Sequence, residues 1–127
     1  MADFVLDTSA VMAAIQDEPG AARVRSASGV SAMSTVNLTE TIARLVDLNY
    51  DDAEIRELLD GYLFSVVSYD EEQSWLAGLM RRQTRHLGLS LGDRACLALA
   101  ASLSVPVLTA DRAWAGLDVG VEVRLIR

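Results

Sequence analysis

Five short apolar runs punctuate this chain, the first four separated from one another by helical stretches and none joined to the next by a hairpin turn. That alternation constrains the fold more than any other feature. Strands separated by helices, with no tight turns to reverse direction, call for crossover connections and hence parallel pairing. The first run is Phe4-Val5-Leu6, ended by Asp7. It is continuous and not alternating, as expected of a central strand covered on both faces. The others lie near Val30 to Met33, Phe64 to Tyr69, Pro106 to Thr109 and Val121 to Leu125.

The intervening segments read as helices. Thr8 or Ser9 can cap a helix through Ala10, Val11, Ala14 and Ile15, which Glu18-Pro19-Gly20 breaks. A short helix through Val24 precedes Gly29. Ser34 to Leu48 places Leu38, Ile42 and Leu45 on one face. Asp51 to Leu63 is amphipathic, with Ile55, Leu58, Leu59 and Tyr62 at helical spacing. Asp70 to Leu87 reads as one long helix with Trp75, Leu76, Leu79 and Met80 inward. Leu91 to Leu103 is nearly all apolar beyond its first turn and is expected to be buried. The expected architecture is α/β: a three-layer α/β/α sandwich around a central, mostly parallel sheet.

Four acids stand where the chain leaves a strand or enters a helix: Asp7, Glu40, Asp93 and Asp111. Asp7 follows the first strand and Asp111 the fourth. In a parallel sheet both lie at the C-terminal edge, where ligands of open α/β sheets bind. Asp93 begins the helix that feeds the fourth strand. That helix runs antiparallel to the strand, so its N-terminus returns to the same edge. Glu40 lies early in the helix after the second strand, and the same argument applies. Each acid alone also has a purely structural reading. Ser90 and Asp93 fit a capping box, Asn37 and Glu40 a similar pair, Asp7 an N-cap and Asp111 a turn. Capping does not require four acids on one edge, however. Two carboxylates ~4 Å apart repel by roughly 4 kcal/mol at an effective dielectric of about 20. Such a cluster takes up protons or a cation, and all-oxygen ligands favour Mg²⁺ or Mn²⁺.

Composition narrows the alternatives. With 127 residues and 51% hydrophobic content, the chain is expected to form one domain that buries about two thirds of its unfolded surface. No apolar run is long enough to span a membrane, and the N-terminus lacks the basic region of a secretory signal. A lone Cys96 in an apolar helix reads as core filling in a reducing, cytoplasmic setting. One Cys and one His (His86) exclude a zinc site of nitrogen and sulfur ligands. The net charge of −7 argues against a nucleic-acid partner. The four acids would account for more than half of it, and a bound cation would neutralise much of that. All eleven basic residues are arginine, the better side chain for bidentate phosphate contact.

Several chemistries find no support. His86 stands in no Ser-His-Asp pattern, and neither a GxxxxGK[ST] loop nor a GxGxxG run occurs. A phosphoacceptor receiver domain needs a lysine, and a haloacid-dehalogenase-type phosphatase needs a second Asp after the first strand, where Asp7-Thr8-Ser9 stands. A carboxylate-held Mg²⁺ can bind a phosphate oxygen, activate a water and stabilise the leaving oxygen. Those are the requirements of a hydrolytic nuclease.

The chain resembles PIN-domain ribonucleases, specifically the VapC-like toxins of bacterial toxin–antitoxin pairs. Four stretches carry the resemblance in order: Phe4 to Val11, Ser34 to Glu40, Leu89 to Ala100, and Pro106 to Trp114. It implies a single PIN domain over 1–127 and a Mg²⁺- or Mn²⁺-dependent endoribonuclease that leaves a 5′-phosphate and a 3′-hydroxyl. Asp7, Glu40, Asp93 and Asp111 would be the catalytic, metal-binding acids. Thr8, Ser9 and Thr109 would hydrogen-bond to those ligands from behind. Trp114 stands where many members have Phe and is expected to pack. The resemblance also implies a small VapB-like antitoxin that occupies the active-site groove, and pairing into homodimers. The substrate would be RNA, tRNA among the candidates.

Two other readings stay open: a housekeeping RNA-processing nuclease without antitoxin, and a non-catalytic module whose acids are caps and surface charges. Arg94 and Arg112 each follow a proposed ligand and suit phosphate contact, or else a surface ion pair. Arg81, Arg82 and Arg85 suit either an RNA-docking patch or the negative end of the helix beginning at Asp70.

Overall fold

A computed structural model describes residues 1–61 and 64–127. Its sheet has five strands: β1 (Phe4–Leu6), β2 (Ser31–Ser34), β3 (Phe64–Val67), β4 (Val107–Thr109) and β5 (Val123–Leu125). They run in the order β3-β2-β1-β4-β5, and every neighbouring pair is parallel. Strand order reverses between β1 and β4. A crevice therefore opens above the C-terminal ends of those two strands, the usual ligand position in sheets of this kind.

The strands alternate between two cores. Val5, Ala32 and Val107 face α7 (Leu91–Leu103), where they pack with Cys96, Leu97, Leu99, Met80 and Trp114. Leu6, Met33 and Leu108 face the other way, onto Ala10, Val11, Ala13 and Ala14 of α1 (Thr8–Ile15) and Val24 of α2 (Ala21–Ser26). With both faces covered, the strand signal in the sequence is a continuous apolar run. Each fully buried Leu or Val contributes about 1.5–3 kcal/mol relative to exposure. A smaller cluster joins Met12 of α1, Leu45 of α3 (Thr35–Asp47) and Ile55 of α4 (Asp52–Asp60). α3 packs against both α1 and α7, and so links the two sides of the crevice. Among the described residues no helix is long and apolar enough to cross a membrane.

Several expectations need correction. The segment from Asp70 is not one helix. α5 (Glu71–Leu79) ends at Met80, and α6 (Arg81–Thr84) and a 3₁₀ turn (Arg85–Leu87) follow. Gly78 weakens the end of α5. The Thr84 hydroxyl donates to the Met80 carbonyl, an arrangement that bends helices. The buried face of α5 and α6 is Gln73, Ala77, Met80 and Thr84, while Trp75 is 66% and Leu79 49% exposed. On α3 the buried residues are Asn37, Thr41 and Leu45, and Ile42 is exposed. Asp7 itself, not Thr8 or Ser9, caps α1. Ser34 caps α3, so Asn37 and Glu40 pair inside the helix and not as a capping box. Tyr62 falls outside the described residues.

Candidate active site

Asp7 is the floor of the crevice. It leaves β1 only 5% exposed, and its carboxylate is held from three sides. Oδ1 accepts from the Ser9 hydroxyl at 2.6 Å and from the Ala10 amide at 3.0 Å. Oδ2 accepts from the Thr109 hydroxyl at 2.8 Å. The same hydroxyls accept in turn from the backbone after β4: Ala110 N donates to Ser9 and Asp111 N to Thr109. Each hydroxyl has one proton, and both are committed to Asp7. The 3.2 Å approach of Ser9 to Thr109 is thus a consequence of shared attachment to that carboxylate. The network ties the turn after β1 to the turn after β4.

Burial raises the pKa of Asp7 above the ordinary carboxylate value. The hydrogen bonds from Ser9, Ala10 and Thr109 oppose that shift, and the negative charge of Asp93 adds to it. No cation compensates. The ion pairs among the described residues are Arg25–Asp17, Arg124–Glu122 and Arg127–Glu18, and none involves Asp7, Glu40, Asp93 or Asp111.

Asp93 occupies the third position of α7. Its Oδ2 accepts from the Ser90 amide at 2.9 Å, while the Ser90 hydroxyl accepts from the Asp93 amide at 3.1 Å. This is the expected capping box, and it fixes the carboxylate at the helix N-terminus. Glu40 projects from α3. Its Oε1 accepts from the Thr8 hydroxyl at 3.0 Å and from Asn37 Nδ2 at 3.1 Å. Cys96, fully buried one turn beyond Asp93, shows how these acids are arranged. Burial pushes its thiol pKa well up, and the charges of Asp7, Asp93 and Glu40 each push it further. Three acids from three elements therefore act on one point.

Asp111 is different. It is exposed, and its Oδ1 caps the following 3₁₀ turn (Arg112–Gly116) through Ala113 N at 2.9 Å. Its link to the floor runs through the backbone, from Asp111 N to Thr109. Trp114 on that turn is fully buried and packs in the core, as expected. Arg112 is exposed, and its side chain makes no hydrogen bond among the described residues. Arg94 reaches α5: its Nη1 donates to the Ala77 carbonyl at 3.2 Å, and its Nε is buried without a partner among the described residues.

The donor set suits a hard divalent cation, because every candidate is a carboxylate. Glu40 Oε2, Asp93 Oδ1 and Asp111 Oδ2 receive no hydrogen bond from the described residues and keep their lone pairs. Among the described residues, no three His, Cys, Asp or Glu side chains form a ready-made metal cage. A closed cage is not required, since Mg²⁺ usually keeps several waters and takes only one or two carboxylates.

Asn37 and Gly92 are the site residues that sequence reasoning missed. Asn37 Nδ2 reaches the Gly92 carbonyl at 3.0 Å as well as Glu40. The spacing from Asn37 to Glu40 signalled a pair, but not the third partner from α7. A groove of about 630 Å³ between α3, α4 and β3 is lined by Leu38, Ile42, Ile55, Leu59 and Val66 among others, and by none of the four acids.

The model of the PIN-domain family matches residues 4–119, a span that contains all four acids. No curated protein matches the sequence. Among solved structures, the chain resembles DNA-bound VapBC from Salmonella typhimurium, with a TM-score of 0.76 and 20% identity over 100% of both chains. A toxin–antitoxin complex from Klebsiella pneumoniae gives a TM-score of 0.76 and 16% identity, covering 100% of this chain and 98% of that one. VapBC-5 from Mycobacterium tuberculosis gives 0.58 and 25% identity over 98% of each.

Proposed function

This chain belongs to the PIN-domain family, a family of nucleases, and from that premise we propose that it is a Mg²⁺- or Mn²⁺-dependent endoribonuclease acting as the toxin of a toxin–antitoxin pair. One observation carries the reading. Asp7 is buried at the end of β1, Asp93 stands in the first turn of α7, and the Glu40 carboxylate of α3 lies against Gly92, one residue before Asp93; among the described residues Asp7 has no cationic partner. Buried charges normally are paired or hold a metal.

Asp7, Glu40, Asp93 and Asp111 are the residues to hold the ion. Ser9 and Thr109 fix the Asp7 carboxylate in one rotamer, and Thr8 does the same for Glu40, so that few degrees of freedom are lost on binding. A bound divalent cation supplies a Lewis acid for a phosphate oxygen and an activated water for in-line attack. Arg112, exposed beside Asp111, is placed to meet an RNA phosphate. Arg94, tied to α5, is better suited to positioning the start of α7.

The likeness to VapBC and to a toxin–antitoxin complex supports an antitoxin partner here. A basic side chain entering the acidic crevice would substitute its charge for that of the metal and block the site. Homodimer formation is part of the same proposal. A second reading has support of its own: Asp7, Asp93 and Asp111 each cap a helix or turn, which is all a non-catalytic module would need. The two readings separate in one assay. Antitoxin-free protein is incubated with a panel of small structured RNAs, tRNAs included, with Mg²⁺ or Mn²⁺, with EDTA, and beside Asp93→Asn. Discrete cuts that need both metal and Asp93 are expected. An absence of cuts, together with an absence of metal binding, supports the capping module.

A further inference from the structure

We infer that Asn37 and Gly92 are positioning residues that clamp the Glu40 carboxylate against the first turn of α7, bringing it to the acids of β1 and α7. The inference rests on the metal-site reading above and adds to it how one ligand is held.

Gly92 follows Leu91, the first residue of α7, and is buried. Its φ is not in the left-handed region, so the backbone does not demand glycine there. Alanine is the better helix former at such a position. What glycine provides is space. A Cβ at Gly92 would overlap both oxygens and the carboxyl carbon of Glu40. The carboxylate therefore lies directly against the helix, one residue before Asp93, and a Cβ there would force it to move.

Asn37 closes the clamp from the other side. It is 1% exposed, and its Nδ2 donates both to Glu40 Oε1 at 3.1 Å and to the Gly92 carbonyl at 3.0 Å. Both partners are acceptors, which fixes the orientation of the amide: flipped, its oxygen would face two oxygens. The cost is visible at the other end, because Asn37 Oδ1 is buried with no partner among the described residues. An unsatisfied buried acceptor is destabilising, so this amide is held for what its nitrogen does. Thr8 adds a third anchor, donating to the same Glu40 oxygen. The hydrogen bonds of the clamp go to Oε1, so Oε2, which lies against Gly92, accepts none from the described residues. Helices α1, α3 and α7 thus meet through one carboxylate.

The test uses metal-free protein and two readouts, Mn²⁺ affinity by calorimetry and unfolding by urea. Gly92→Ala and Asn37→Ala are each expected to weaken Mn²⁺ binding about 10- to 100-fold, the usual effect of removing support behind a metal ligand. In unfolding, Gly92→Ala is expected to lower the midpoint in the wild-type background. In a Glu40→Ala background, where the obstructing carboxylate is gone, the same substitution should be neutral or stabilising. An equal penalty for Gly92→Ala in both backgrounds would overturn the clamp. So would unchanged Mn²⁺ affinity in both single variants. If wild-type protein binds no Mn²⁺, the metal-site reading fails, and the unfolding comparison then decides the clamp alone.

Discussion

Asp7 and Asp111 leave adjacent strands at the same edge of the sheet, yet they sit in opposite surroundings. Asp7 is buried, accepts three hydrogen bonds and has its pKa raised by its environment. Asp111 is exposed and uses one oxygen to cap a turn. Parallel topology explains why both are there. It does not make them equivalent. β1 is the central strand, flanked by β2 and β4, so whatever follows it is covered from both sides. β4 is followed by a turn that Trp114 pins into the core, and that leaves Asp111 at the rim. The difference assigns unequal shares of the proposed chemistry, and each prediction below bears on it.

The largest effect belongs to Asp7→Asn. RNA cleavage is expected to fall on the order of 10²- to 10³-fold, the cost of removing an electrostatic group from a reacting centre. Initial rates of both proteins at one Mn²⁺ concentration that saturates the wild type measure it, and a near wild-type rate would abolish the distinction between floor and rim.

Thr109→Val comes next, because this hydroxyl serves both acids. The substitution removes a donor from Asp7 Oδ2 and an acceptor from Asp111 N. Leaving buried groups unsatisfied costs about 1–3 kcal/mol, so the urea midpoint should fall by that equivalent. Asp111→Asn should reduce cleavage by about tenfold, at the lower end of effects on metal support, while leaving the unfolding midpoint unchanged. An effect equal to that of Asp7→Asn would place Asp111 in the floor.

The smallest effect is one of pH. The folded protein raises the Asp7 pKa above its unfolded value, so between those two values the folded state binds more protons. Stability of the metal-free protein therefore falls as pH rises from near the unfolded value through the raised folded value. Above that range the penalty of the buried charge is fully present. Asp7→Asn, which carries no charge, should flatten this dependence and stabilise the metal-free protein at neutral pH by on the order of 1 kcal/mol. Urea denaturation of both proteins at several pH values reads it. A variant less stable than wild type at neutral pH would mean that hydrogen bonds to the carboxylate outweigh its burial.

The order of elements, and with it the placement of Asp7 and Asp111 after adjacent parallel strands, was legible in the sequence because it follows from burial on both faces of a sheet. Phe4-Val5-Leu6 is apolar on both faces, and α7 is apolar nearly all round, so its limits at Leu91 and Leu103 coincide with the expected ones. The capping box of Ser90 and Asp93 is a local signal and was equally readable. Helices that contact the site were harder. Hydropathy pointed to Trp75, Leu76 and Leu79 on α5, but the buried face carries Gln73 and Ala77. α5 packs against α7, and Ala77, fully buried, permits an approach that a large side chain would block. Gln73 is accommodated because its amide donates to the Ser68 carbonyl. On α3 the periodicity of Leu38, Ile42 and Leu45 held at Leu45 and, at the core edge, Leu38, but not at the exposed Ile42, for a related reason. Asn37 and Thr41 face inward because their partners lie there, at Gly92 and along the helix itself. Pattern reading ranks residues by apolarity, whereas a polar side chain with a fixed partner is buried as firmly.

The most direct test of the account is calorimetric titration of Mn²⁺ into metal-free wild-type protein and Asp7→Asn. The account predicts saturable binding to wild type at constant ionic strength and its loss in the variant. Equal binding to both, or none to either, would contradict the claim that the buried carboxylate after β1 is the foundation of a metal site.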